Sequence, residues 1–153
     1  MKIYFASDHA GFVMKTTLME HATTLGNMAE DMGAYTLNDS DDYPDFIAPL
    51  GLQISQDAKN GDQSFGIILG GSGQGEAIVA NRFAHVRAGV LNSENIELVT
   101  LLRQHNDANI LSIGARFVSL KFAQLALKTF IETDFSHDAR HERRIKEIDK
   151  DCL

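Results

Sequence analysis

Short apolar runs alternate with stretches of helical periodicity along most of this chain. Lys2–Ser7 (KIYFAS) is the first run, rich in strand formers and ending at Asp8. From Phe12 to Leu25 the apolar residues Val13, Leu18, Ala22 and Leu25 recur at near-helical spacing, and Gly26 ends the pattern. Asn27–Gly33 (NMAEDMG) holds the place of a second strand, yet contains no β-branched residue. Tyr43-Pro44 opens a helix through about Ala58, with Pro44 in the first turn where its missing N–H matters little. Ser64–Leu69 (SFGIIL) reads as a buried strand and Gly75–Phe83 as a short helix. Arg87–Leu91 (RAGVL) is a fourth strand, followed by a helix over Glu94–Arg103 with Ser93 as its N-cap. Asn109–Ile113 (NILSI) is a fifth strand and Leu120–Glu132 a helix. A last helix, His141–Lys150, is charged on most faces. Its apolar positions are Ile145 and Ile148, a stripe too thin to anchor it on its own domain, which predicts contact with a partner chain.

Strand–helix alternation with short apolar strands predicts one domain over residues 1–153, a three-layer α/β/α sandwich. Its five-stranded parallel sheet would be Rossmann-like, with the C-terminal helix reaching a partner subunit. Ligands of such sheets bind beyond the carboxyl ends of the strands. Asp8-His9, the glycine loop 70–75, Asn92-Ser93 and Gly114-Ala115-Arg116 all fall at those ends.

Composition narrows the function classes. An apolar fraction of 44% suits a globule with a real core, and no apolar run is long enough to span a bilayer. The start reaches Asp8 too early for the apolar region of a signal peptide, so a cytoplasmic protein is the expectation. The one cysteine, Cys152, excludes an internal disulfide framework and stands too near the chain end to serve as a nucleophile. A net charge of −7 argues against nucleic acid as a partner. It leaves room for a small anion, because a few converging arginines reverse the local field.

The segment Ile67–Glu76 (IILGGSGQGE) places glycine turns after a strand and then a carboxylate. A dinucleotide fingerprint starting at Gly71 finds Gly73 but meets Glu76 where it needs glycine; a Walker A loop fits Gly70 and Gly75, then fails at Glu76-Ala77. What remains is a strand-to-helix turn whose amides favour negative charge, with Glu76 held ionised in the first helical turn. Such a carboxylate either is a favourable first-turn charge or removes a proton beside a carbonyl while the amides stabilise the enediolate oxygen.

The other polar clusters each allow two readings. His9 at a strand end is a site residue or a cap. Arg103-Gln104-His105-Asn106-Asp107 is a solvated loop or a source of an acid near neutral pH. Arg140 and Arg144 stand four apart, so two guanidinium forks share one helix face; they suit a phosphate dianion or pair with Glu142 and Glu147. His137 and His141 share that spacing but lack a third ligand nearby, which makes them solvent-facing, and no metal is expected. His21 and His85 carry no functional signal in the pattern.

In order along the chain stand SDHAG (7–11), DYPD (42–45), GGSGQGE (70–76), Ala80-Asn81-Arg82, RQHND (103–107), IGAR (113–116) and RHERR (140–144). In these seven motifs, from residue 2 to about 148, the chain resembles the family of ribose-5-phosphate isomerase B and the galactose-6-phosphate isomerase subunits. The resemblance implies a cofactor-free aldose–ketose isomerase, a homodimer or dimer of dimers whose sites are completed across the interface. It implies Glu76 as the base moving a proton between C1 and C2 of ribose 5-phosphate or ribulose 5-phosphate through a cis-enediol. One branch of the family places a catalytic cysteine where this chain has Gly70, so the chain looks like the carboxylate branch. His105 from the partner would open the sugar ring, with Asn106 beside it. Gly71, Ser72, Gly73, Gln74 and Gly75 would supply the amide nest. Asp8, His9 and Tyr43 would contact the substrate, and Arg116, Arg140 and Arg144 its phosphate. The acidic stretch 27–42 departs from the family's usual apolar second strand and leaves the pocket rim open. Rival substrates are galactose 6-phosphate, allose 6-phosphate or a tetrose phosphate, and a rival class is a non-catalytic nucleotide-sensing module.

Overall fold

The protein's computed structural model describes residues 1–150, the Asp149 side chain excepted; Cys152 lies outside the described residues. Five strands and six helices follow in the order β1 (Lys2–Ser7), α1 (Phe12–Thr24), β2 (Met28–Asp31), α2 (Pro44–Asn60), β3 (Ser64–Gly70), α3 (Gln74–Ala80), β4 (Ala88–Leu91), α4 (Ile96–Asn106), β5 (Ile110–Gly114), α5 (Leu120–Glu132) and α6 (Ala139–Lys150). The strands form one parallel sheet in the order β2-β1-β3-β5-β4.

Alternation along the strands splits the core in two. Ile3, Phe5, Ile67, Leu69, Leu111 and Ile113 face α1, α4 and α5, through Leu18, Val99 and Phe130 among others. Tyr4, Ala6, Ile68 and Ile110 face α2 and α3 through Ile47, Leu50, Ile54 and Ala80. The three central strands are therefore buried on both faces, which is why their sequences read as unbroken apolar runs. The chain runs outward from β1 to β2 and returns to β3 on the other side. That reversal opens a crevice beyond the carboxyl ends of β1 and β3.

β2 forms despite its weak sequence because tertiary contacts hold it. Its backbone pairs with β1 from Lys2↔Met28 to Phe5↔Asp31, and Lys15 of α1 reaches over to its end. Lys15 Nζ donates to Asp31 Oδ1 at 2.5 Å and to the Ala34 carbonyl at 2.7 Å, on a side chain only 1% exposed. Lys15→Ala would take the side-chain donor from that carbonyl and leave Asp31 Oδ1 only the Gly33 N–H, at 2.9 Å. Because Asp31 is a third exposed, the expected loss is about 2 kcal/mol, read as a fall of roughly 4–8 °C in Tm by calorimetry.

Several helix boundaries differ from expectation: α4 runs on through Asn106, so the polar cluster from Arg103 is its last turn rather than a loop, and α6 starts at Ala139. Asn95, not Ser93, caps α4, its side-chain oxygen accepting the Glu97 N–H at 3.1 Å. The helix after the glycine loop stops at Ala80 rather than Phe83. The last helix is also anchored differently. His141 is buried, not solvent-facing, and its ring stacks on that of His105, with centroids 4.3 Å apart and planes 10° from parallel. Ile148 remains half exposed, so a histidine pair rather than an apolar stripe seats α6 on α4.

Candidate active site

β3 ends at Gly70 and the loop Gly71-Ser72-Gly73 leads into α3. Three loop carbonyls are fastened toward β5. Gly70 O accepts the Ala115 N–H (2.8 Å), Gly71 O the Arg116 N–H (3.2 Å), and Gly73 O the Ser112 hydroxyl (2.5 Å). Across a trans peptide the next N–H points the opposite way. The amides of Gly71, Ser72 and Gln74 therefore turn from β5 toward the open side, although Ser72 Oγ already meets the Gln74 N–H at 3.4 Å. Gly73 opens the helix with φ +76°, a left-handed conformation that glycine adopts without penalty.

Glu76 sits in the first turn of α3, 4% exposed. Its carboxylate occupies the space where a Cβ on Gly70 would stand, so glycine there and glutamate at 76 are one arrangement. The expectation that the helix N-terminus keeps Glu76 readily ionised is corrected. Burial pushes its carboxyl above the ordinary value of 4.5, and the Asp8 carboxylate adds to the rise, against the opposing pull of its own backbone N–H.

A cavity of about 430 Å³ opens over this carboxylate, lined by Asp8, Tyr43, Gly71, Ser72, Gly75, Glu76, Arg116 and Phe117. Asp8 is buried and its Oδ1 accepts the N–H groups of Ala10 (2.9 Å) and Gly11 (3.2 Å), which fixes it at the end of β1. The Tyr43 ring packs on Gly75, and the Arg116 guanidinium lies against Gly71, exposed and without an acidic partner among the described residues. Beside Asp8, His9 Nδ1 meets Asp41 Oδ1 at 2.7 Å. Asp8, His9 and Asp41 bring their donor atoms within 4.8 Å of one another, the one three-ligand group able to gather around a cation among the described residues.

Of the residues expected at the site, Asp8, Tyr43, Gly71, Ser72, Gly75, Glu76 and Arg116 line one cavity; His9 stands beside Asp8, while Gly73 packs against β5 and Gln74 borders a neighbouring pocket. His105, Asn106, Arg140 and Arg144 do not join them within one chain. α4 ends where β5 begins, so His105 and Asn106 stand at the amino edge of the sheet, about 15 Å away along the five residues of β5. Arg140 Nε lies 3.1 Å from His141 Nε2, and Arg144 is exposed. Among the described residues neither arginine pairs with Glu142 or Glu147. Glu142 instead meets His137 Nδ1 at 3.3 Å, and the carboxylate nearest Arg140 among the described residues is that of Asp138, at 3.9 Å. The neighbouring Arg103 is structural: buried, it holds Asp107 (2.9 Å) and stacks over Phe65.

Sequence reasoning missed Asp41, Phe117 and Ser112. Nothing in the acidic run DSDDYPD marks which aspartate turns inward, and an isolated aromatic or serine carries no signal. Asn92, also at a strand end, lies against Gly114 rather than lining this cavity.

A parallel α/β sheet carries a buried glutamate beneath a sheet-edge crevice, bordered by an exposed arginine without an acidic partner among the described residues; this is an α/β protein with a candidate site for a small anionic ligand. The comparisons then give the family. The Ribose/Galactose Isomerase family matches residues 3–148, and the chain belongs to it. It is 37% identical over 145 residues to ribose-5-phosphate isomerase B of Mycolicibacterium paratuberculosis, covering 95% of this chain and 87% of that protein. Ribose-5-phosphate isomerase B of Escherichia coli is 33% identical over 147 residues, with coverage of 96% and 93%. The fold superposes on the crystal structure of ribose-5-phosphate isomerase B from Mycoplasma genitalium with bound ribulose-5-phosphate. There the TM-score is 0.89 at 34% identity, over 97% of this chain and 94% of that one. The resemblance drawn from seven motifs holds over the span expected. Among the described residues no helix is long and apolar enough to cross a membrane.

Proposed function

We propose that the chain interconverts D-ribose 5-phosphate and D-ribulose 5-phosphate through a cis-enediol, the whole of residues 1–153 serving as one isomerase domain. The observation that carries this reading is the buried Glu76 carboxyl on the floor of the cavity, its proton affinity raised by burial, with the loop amides turned out beside it. A carboxylate whose proton affinity is raised by burial is a stronger base for removing a proton from carbon and can return it as the acid. The substrate oxygen that gains charge meets preorganised main-chain donors at Gly71 and Ser72. Asp8 and Tyr43 border the sugar and Arg116 meets its phosphate; none of these steps calls on a metal or cofactor.

The ring-opening acid comes from a second copy. His105 with Asn106, and Arg140 with Arg144, stand at the amino edge of the sheet, out of reach of their own chain's Glu76. Paired copies in a homodimer or dimer of dimers would bring one chain's amino edge over the other's crevice, adding phosphate-binding forks where Arg116 alone stands.

Steady-state kcat/KM across a panel of ribose 5-phosphate, galactose 6-phosphate, allose 6-phosphate and tetrose phosphates tests the substrate. The highest value is expected for ribose 5-phosphate, with exchange of its C2 proton in D2O. A hexose or tetrose phosphate turned over faster would reassign it, and nucleotide binding without turnover of any sugar would end the isomerase reading. Because Glu76 must be ionised to act, kcat/KM is expected to fall as pH drops through its raised value. The acid limb of the pH profile then lies above the ordinary 4.5.

A further inference from the structure

The loop between β2 and α2 is exposed from Tyr35 through Ser40, and then Asp41 turns in. Its side chain is only 6% exposed, although the residues beside it, Ser40 and Asp42, are polar. One oxygen, Oδ1, serves His9 twice, meeting its backbone N–H at 3.1 Å and its ring Nδ1 at 2.7 Å. The other, Oδ2, is buried without a partner among the described residues. Burying a carboxylate is costly unless it is paired and hydrogen-bonded, and here the compensation comes from His9 alone among the described residues. A carboxylate only accepts, so the proton of that bond lies on Nδ1, and Nε2 is the nitrogen left for a ligand beside Asp8.

We propose that Asp41 is a positioning residue: its carboxylate fixes the orientation of the His9 ring through Nδ1 and supports the doubly protonated form, whose Nε2–H donates to an anionic oxygen of the bound sugar phosphate. This rests on the isomerase reading for the identity of the ligand. Two readings compete with it. Asp41 could merely staple the loop, or it could join Asp8 and His9 around a cation, but the direct bond between His9 Nδ1 and Asp41 uses the atoms a cation would take. The aspartate has an electrostatic effect as well. The Asp41 bond, aided by the charges of Asp8 and Asp39, raises the His9 imidazole above its ordinary value, and burial opposes them. A doubly protonated ring suits a phosphate dianion.

A double-mutant cycle separates the readings. His9→Ala and Asp41→Ala are each expected to lower kcat/KM for ribose 5-phosphate about tenfold, mainly through KM, the effect of losing one charge-assisted hydrogen bond. The double variant should be no worse than His9→Ala alone. Nitrogen NMR of the His9 ring gives a readout that needs no turnover. Asp41→Asn, which keeps the shape, should lower the ring's pKa and let protonation shift between its two nitrogens. Additive losses in the cycle, or an unchanged His9 titration in Asp41→Asn, would overturn the proposal. If the native chain turned over no sugar phosphate while His9 still responded to Asp41→Asn, the substrate reading would fall and the positioning role would stand.

Discussion

Glu76→Gln is expected to lower kcat by roughly a thousandfold, with KM within a few-fold of native, because it removes a general base and leaves the cavity's shape intact. Glutamine is nearly isosteric, so it fits the space against Gly70 that the carboxylate fills. The loss should appear equally in C2 proton exchange followed by NMR, and full exchange in the variant would remove Glu76 from the mechanism. The same variant should be more heat-stable at neutral pH. Glu76 has its folded value raised above the ordinary 4.5. Its neutral form is therefore the one the fold prefers, and the stability it contributes is full below that ordinary value and lost as pH rises through the raised one. Glutamine stays neutral throughout. The Tm difference between variant and native should consequently be positive at pH 7 and vanish in acid. That would be a direct view of stability given up for a usable base.

Mixing two inactive variants is expected to restore activity. In a site assembled from two copies, Glu76→Gln spoils the floor contributed by one chain and His105→Ala the acid contributed by the other. A mixed dimer then has one site with both defects and one with neither. Random reassortment of equal amounts makes about half the dimers mixed, so about one quarter of native activity should return. The measurement is turnover before and after subunits are exchanged by dilution and reassociation. Activity no higher than the average of the two parents would mean that no partner completes the site, and the roles of His105, Asn106, Arg140 and Arg144 would have to be abandoned. The fold makes this outcome sharp: within one chain β5 separates the two clusters, so no modest side-chain motion could rescue a mixed population.

Gly70 illustrates how far a spacing argument goes. The sequence excluded both familiar phosphate loops, and it placed Glu76 in a first helical turn, but it offered no reason why position 70 should be glycine. The structure supplies one, since the Glu76 carboxylate fills the place of its Cβ. Gly70→Ala should displace that carboxylate and depress kcat/KM in the same assay. Glu76 itself shows the opposite lesson. The helix N-terminus is visible in the sequence and predicts an ionised carboxylate, yet burial outweighs the pull of the backbone N–H there. Whether a carboxylate is solvated depends on what covers it, which local pattern does not record.

What the sequence determined by itself is local and periodic. Apolar runs at β1, β3 and β5, helical spacing at α1 and α5, and glycine after a strand set the element order, the parallel sheet and the edge where its ligand binds. Each follows from short-range sterics and from the need to bury one face or two. The tertiary structure alone decided three things. β2 is a strand because Lys15 and the β1 backbone hold a segment with little propensity of its own. Asp41 is buried because the loop folds back onto His9. His105 and the arginines of α6 lie far from Glu76 because α4 must run antiparallel to the strands it joins. In each case the deciding contact joins residues distant in sequence, and a pattern of neighbours carries no information about which distant groups will meet.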